Sequence, residues 1–146
     1  MLWTGRDFVI IDFEGEPDRA LGERKLKRSA LRDVAGMLRS FHYAPFAGLL
    51  QGAPDVIVRD EDLPRLTAWA DFWYACSAAS FLSGYLSVAA GATFLPSSRE
   101  QLRTLLDAFM LEKALYEIRY ELNNRPDWLQ VPVKGILGLI QESATH

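Results

Sequence analysis

Between Asp71 and Arg99 the chain carries no charged side chain, a run long enough to cross a lipid bilayer as a helix. Such a segment belongs either in a membrane or inside a helical protein, and its composition decides between the two. Ser77, Ser80, Ser83 and Ser87 recur through it, joined by Gly84, Gly91 and many alanines, with few leucines to drive insertion. Clustered basic residues are missing near its start, so the membrane is not its expected place. The expectation is a helix apolar on all sides at the centre of a globular domain, from about Leu66 to Ala90, with Trp69, Trp73, Cys76 and Ser80 along one stripe. Cys76 is the only cysteine, which excludes an intramolecular disulfide or a cysteine-based zinc cage. Set among Tyr74, Ala75, Ser77 and Ala78, it reads as an inert buried thiol.

The flanking patterns are helical as well, after a short β opening. Leu2-Trp3-Thr4 and Phe8-Val9-Ile10-Ile11-Asp12 flank Gly5-Arg6-Asp7, which predicts a hairpin with Gly5 at the turn and a buried strand over Phe8–Ile11. Residues 13–28 form a charged polar loop. From Ser29 the period changes: Leu31, Val34, Ala35, Leu38 and Phe41 mark one face of a helix that should stop before Pro45. Gly48 to Pro64 reads as a loop, and Gly91 to Pro96 as a break. Ser97 with Glu100, and Ser98 with Gln101, fit the capping-box spacing. Leu102, Leu105, Leu106 and Phe109 then make an apolar stripe. Leu111, Leu115, Ile118 and Leu122 continue it out of phase, which predicts a bend or a second helix near Met110. Pro126 ends the run, and Val133, Ile136, Leu137 and Ile140 mark a last helix with Pro132 in its opening turn. With 146 residues, 49% of them hydrophobic, the expectation is one mainly α domain with a short N-terminal β-hairpin.

A net charge of −3 supplies no basic field for nucleic acid. The local run Arg24-Lys25-Leu26-Lys27-Arg28 reads as a solvated loop, or as a basic rim that helps hold polyphosphate. No secretory signal pattern opens the sequence, so the default setting is cytoplasmic.

Two groups of residues bear on chemistry. Asp12 and Glu14 stand where the first apolar strand gives way to Gly15 and Pro17, and two residues apart they point to one side of an extended chain. Paired carboxylates there are either a solvated strand end or hard oxygen ligands for Mg²⁺. The second group lies between Lys113 and Trp128. On a helix Tyr116, Tyr120 and Asn124 stack on one face with Glu117 and Glu121 beside them, and Trp128 follows the Pro126 break. The bland reading is an amphipathic helix with a wet face, Trp128 packed as its cap. The other is a sugar platform, because sugar rings present apolar C–H faces to aromatic rings and hydroxyls to carboxylates and amides. Asp33 near the start of its helix favours the helix dipole, Arg32 and Arg39 read as ion-pair partners or solvated cations, and His42 reads as a satisfied structural histidine. There is no Gly-rich phosphate loop.

Three blocks taken together resemble the aminoglycoside-phosphotransferase-like kinases, and most closely the bacterial maltokinases. They are Asp12-Phe13-Glu14-Gly15-Glu16-Pro17; Lys27-Arg28-Ser29 with Leu31 to Phe41; and Lys113-Ala114-Leu115-Tyr116-Glu117 with Tyr120 to Pro126. The resemblance runs from about residue 2 to the end and implies that residues 1–146 are the C-terminal helical lobe of a protein-kinase-like fold. Asp12-Phe13-Glu14 then occupies the place of the Asp-Phe-Gly element, with Asp12 on Mg²⁺ against the phosphates of ATP and Glu14 on the metal directly or through water. Tyr116, Glu117, Tyr120, Glu121, Asn124 and Trp128 would hold maltose, and Asp33 would accept hydrogen bonds from the catalytic-loop backbone. The implied reaction moves the γ-phosphoryl group of ATP to the anomeric hydroxyl of maltose, giving maltose 1-phosphate in trehalose and glycogen metabolism. A trehalose synthase is a common fusion or partner in this family. The family's N-terminal lobe and its His-Gly-Asp catalytic loop would lie before Leu2, so the resemblance implies a lobe inactive on its own. Two alternatives stand beside it: a non-catalytic sugar- or partner-binding remnant, and a kinase-like lobe for another small hydroxylated substrate.

Overall fold

The computed structural model describes residues 2–11, 20–51 and 58–144. Strands β1 (Leu2–Trp3) and β2 (Phe8–Val9) pair antiparallel, Leu2 opposite Val9 and Trp3 opposite Phe8. Gly5 supplies the turn with φ +92°, a conformation that costs a side chain dearly. The Thr4 hydroxyl locks the turn, donating to the Asp7 carbonyl at 3.0 Å and accepting from the Asp7 N–H at 3.1 Å. The strand is not buried, however: Phe8 is 60% and Ile10 59% exposed. Two paired residues a side form too small a sheet to bury a face against a second layer.

Five α-helices dominate the rest of the described residues: α1 (Leu21–Arg24), α2 (Leu31–Gln51), α3 (Leu63–Val88), α4 (Arg99–Asn124) and α5 (Gln130–Ala144), with single 3-10 turns at Asp60–Asp62 and Pro126–Trp128. The mainly α architecture with one N-terminal hairpin is therefore as the sequence predicts. Three local expectations fail.

First, α2 does not stop before Pro45 but continues through it to Gln51. Proline's fixed φ is helical, and what is lost is its N–H bond to the preceding turn. Burial of Phe46 beside Ala70 and Val131 keeps the chain helical past that point.

Second, α4 is not divided into two helices near Met110 but runs unbroken from Arg99 to Asn124. The out-of-phase stripe arises because one helix carries two apolar faces, roughly a third of a turn apart at 3.6 residues per turn. Leu106, Met110 and Ala114 face the core, whereas Leu111, Leu115 and Leu122 stand on the exposed side. Ser98 is the N-cap, its hydroxyl accepting from the Gln101 N–H at 3.4 Å.

Third, α3 is not the central helix. Ala70 is its one buried residue, and Cys76 is exposed rather than a buried thiol. Among the described residues no helix is long and apolar enough to cross a membrane.

The central element is α2, which packs against α3, α4 and α5. Cross-contacts give the directions. Arg32 meets Glu112, Arg39 meets Glu117 and Tyr43 meets Glu121, so α2 and α4 run parallel. Contacts of His42 with Tyr74, and of Phe41 with Phe81, set α3 antiparallel to α2. At one end of the α2–α4 interface lies an apolar layer of Val34, Ala35, Leu38, Leu106 and Met110, with Phe81, Leu82 and Tyr85 of α3 packed on it. Ala35 and Ala114 have no exposed surface, which lets the backbones come close. Met110→Ala should cost about 2–5 kcal/mol in urea unfolding, while its neighbour Leu111→Ala should change stability by less than about 1 kcal/mol. Equal costs would contradict a single core face on α4.

Candidate functional site

Beyond Leu38 and Ala114 the α2–α4 interface changes character while keeping the same helical faces. The core stripe of α4 continues as Glu117 and Glu121, and the facing turns of α2 present Arg39, His42 and Tyr43. Arg39 is 1% and Glu121 1% exposed, values that charged side chains reach only when partnered. Arg39 Nε donates to Glu117 Oε2 at 2.8 Å. Its Nη2 approaches the same oxygen at 2.7 Å but has no aligned acceptor, so the pair is an ion pair with one true hydrogen bond. Burial pushes the Glu117 carboxyl above the usual carboxylate range, and Arg39 opposes that shift without cancelling it.

Glu121 is held from two sides. Arg125 forks onto it, Nη2 to Oε1 at 2.8 Å and Nε to Oε2 at 3.0 Å, while the Tyr43 hydroxyl donates to Oε1 at 3.3 Å. Such bidentate pairs are the stronger kind, and a cation at the C-terminus of α4 also suits the helix dipole. Burial, then Glu117 and Glu121, push the Tyr43 hydroxyl well above its ordinary pKa, so it stays protonated and can donate.

Above this layer opens a shallow groove of about 220 Å³, walled by Tyr43, Tyr116, Glu117, Tyr120 and Glu121, with Ser40, Lys113 and Arg125 at its edges. The rings of Tyr116 and Tyr120 stack with centroids 6.5 Å apart and planes 23° from parallel. Lys113 Nζ lies 4.8 Å from the Tyr116 centroid, and the Arg125 guanidinium 5.6 Å from that of Tyr120. A larger hollow of about 550 Å³ at the start of α4 has Glu100 as its sole charged lining residue, and it gathers no comparable chemistry.

The sequence-predicted residues therefore divide. Tyr116, Glu117, Tyr120 and Glu121 come together in the groove. Asn124 does not: its amide donates to the Tyr120 carbonyl at 2.8 Å, back onto its own helix. Trp128 stands outside the lining as the packed cap, stacked on Tyr43 at 6.4 Å with Arg125 4.4 Å above its ring. Asp33 is exposed in the first turn of α2, where its charge favours the helix dipole. Asp12 and Glu14, the Mg²⁺ pair, lie outside the described residues. Among the described residues no three His, Cys, Asp or Glu side chains gather as metal ligands. Sequence reasoning missed Tyr43 and left Arg39 with two options. Their partners stand on another helix far along the chain, and only the Glu121–Arg125 spacing of four was visible locally.

Gly135 of α5 explains how Arg39 fits. A Cβ built there would overlap Arg39 Nη1 and crowd its Cζ, so the glycine provides the room in which the guanidinium lies flat. Alanine is the better helix former by about 0.8–1 kcal/mol, yet Gly135→Ala should destabilise the protein by about 1–3 kcal/mol in thermal or urea unfolding, because the added methyl displaces a buried charge. A stabilised Gly135→Ala protein would show that Arg39 has somewhere else to go.

His42 departs from the satisfied histidine expected. It is 5% exposed, lies 5.2 Å from Phe46 and 5.1 Å from Tyr74 between ring centroids, and its Nδ1 has no hydrogen-bond partner. Burial first, then Arg39 and Lys134, lower its pKa to about 4. An unfolded chain protonates this residue near pH 6.5, well before the folded one does. Its stabilising effect is therefore complete above pH 6.5 and is lost as pH falls toward 4, by up to about 3 kcal/mol. Glu117, raised, acts in the opposite sense, since acid favours its folded neutral form. Stability measured by urea unfolding at pH 7 and pH 4.5 should fall less in His42→Phe than in the unaltered protein; equal falls would remove His42 as the cause. No known protein family matches the chain.

Proposed function

We propose that this chain is the sugar-holding helical lobe of a maltokinase-like kinase. One observation supports it above the others: Tyr116 and Tyr120 stack as a platform directly beside two carboxylates, Glu117 and Glu121, whose positions are fixed by the buried Arg39 and by Arg125. An aromatic platform takes the apolar face of a pyranose, and Glu117, held in place by Arg39, takes one of its hydroxyls without an ordering cost at the moment of binding. The buried Glu121, already engaged by Arg125 and Tyr43, fixes the wall of the groove. At about 220 Å³ the groove is smaller than the usual ligand pocket of about 300–1,000 Å³, so a disaccharide would seat one ring and leave the other over the rim. In this reading the Mg²⁺ and ATP phosphates belong to Asp12 and Glu14, and a trehalose synthase is the expected supplier of maltose.

A second reading is a module that holds a sugar on the same platform and turns nothing over. Translating the DNA before Met1 separates the two: an in-frame His-Gly-Asp supports the kinase, and a stop codon supports the module.

Both readings expect maltose to bind this chain and no maltose 1-phosphate to form when ATP and Mg²⁺ are added. Titration calorimetry should show Tyr120→Ala weakening maltose at least about tenfold, or 1.4 kcal/mol. Because Tyr120 is 40% exposed, stability should change by less than about 1 kcal/mol. Glu117→Gln is the poorer probe, since it strips the partner from a buried arginine. A stable Tyr120→Ala protein with undiminished maltose binding would remove the platform from the site.

A further inference from the structure

The outward face of α3 carries exposed aromatic rings that the groove does not use. Trp69, Phe72 and Trp73 are 63%, 59% and 46% exposed, the first two already edge-to-face at 5.8 Å. One turn further on the same face holds the exposed Cys76, and beyond it the exposed Ala79, Ser80 and Ser83. The helix thus has a bulky half and a hollow half. They mirror one another about Cys76: Trp69 and Ser83, Phe72 and Ser80, and Trp73 and Ala79 are pairs equally distant from it in sequence. At 100° per residue each pair is also placed symmetrically about the radial direction of Cys76.

The geometry points to a second copy of this chain as the occupant of that face, the two α3 helices crossing antiparallel on a twofold axis at Cys76. In a twofold interface a residue that meets a second residue of the partner is met in turn by its own counterpart. Each aromatic half then fills the other copy's small-residue half, in two identical sets of contacts. No like charges meet on the approach: Arg65, one turn before Trp69 on this face, is turned to Asp62 at 3.2 Å, and α3 has no charged residue after Asp71, which is turned to Lys134 of α5 at 2.8 Å. The area suffices: aromatic side chains of about 150–250 Å² each, at these exposures, offer on the order of 350–400 Å² per copy, and the small residues bring the total to the roughly 1,000 Å² that a specific interface needs.

Sedimentation equilibrium of the full chain at tens of micromolar tests this. The unaltered protein should be a dimer, which a short bismaleimide links through the two Cys76 thiols. Ser80→Phe sets two phenylalanines against each other and should give a monomer; Phe72→Ser empties the contact and should do the same. Each site is exposed, so circular dichroism and the melting temperature at monomer-favouring dilution should stay near those of the parent. The exchange variant Phe72→Ser/Ser80→Phe moves bulk and hollow together and should restore the dimer. A monomeric parent would overturn the proposal and leave the face to a different macromolecule or to another segment of protein. A dimer indifferent to Ser80→Phe, or a folded exchange variant that stays monomeric, would overturn it too.

Discussion

The contact on which the rest of this structure depends is the ion pair between Arg39 and Glu117. Parallel helices packed through alanines and leucines have little to stop them sliding by a turn, because one apolar layer resembles the next. A buried charge removes that freedom. Displaced by a turn, Arg39 would lose Glu117, and Tyr43 would lose Glu121, leaving charged groups buried without partners at a cost of about 3–5 kcal/mol. The pair adds little net stability, since both ions give up their hydration. What it supplies is register, in the way a single polar residue fixes the alignment of a coiled coil.

That register is also what builds the groove. Glu117 and Glu121 sit low, their oxygens turned toward Arg39, Arg125 and Tyr43. Tyr116 and Tyr120 belong to the same two turns but are turned outward, so their rings cover what the ion pairs hold in place. Structural and exposed roles alternate along one short stretch of α4, with Glu117 at the boundary between them.

Much of this was legible in the sequence, and the failures share a cause. The hairpin turn at Gly5 and the helix ends marked by local chemistry, at Ser98, Gly91 and Pro126, fall where their residues require. The neighbouring placement of Tyr116, Glu117, Tyr120 and Glu121 follows from helical periodicity alone. What local pattern could not reveal was which face looks inward. The uncharged stretch of α3 reads as a core helix, yet α2, with two arginines, an aspartate, a histidine and a proline in it, occupies the centre. Burial there is decided by tertiary partners: Glu117 makes Arg39 an interior residue, and Phe46 carries α2 past Pro45. The same blindness split α4 at Met110, because two apolar faces on one continuous helix imitate the start of a second one.

Gly135 has one more implication, for how this sequence can change over generations. The hydrogen that stands in place of its Cβ is matched to a guanidinium from a helix far earlier in the chain, so neither position can drift by itself. A lineage that first replaced Arg39 with a small apolar residue would strand Glu117, and one that first enlarged residue 135 would expel Arg39. The permissible route is a joint exchange of residues 39, 117 and 135, which makes these three sites a single inherited unit spread over three helices.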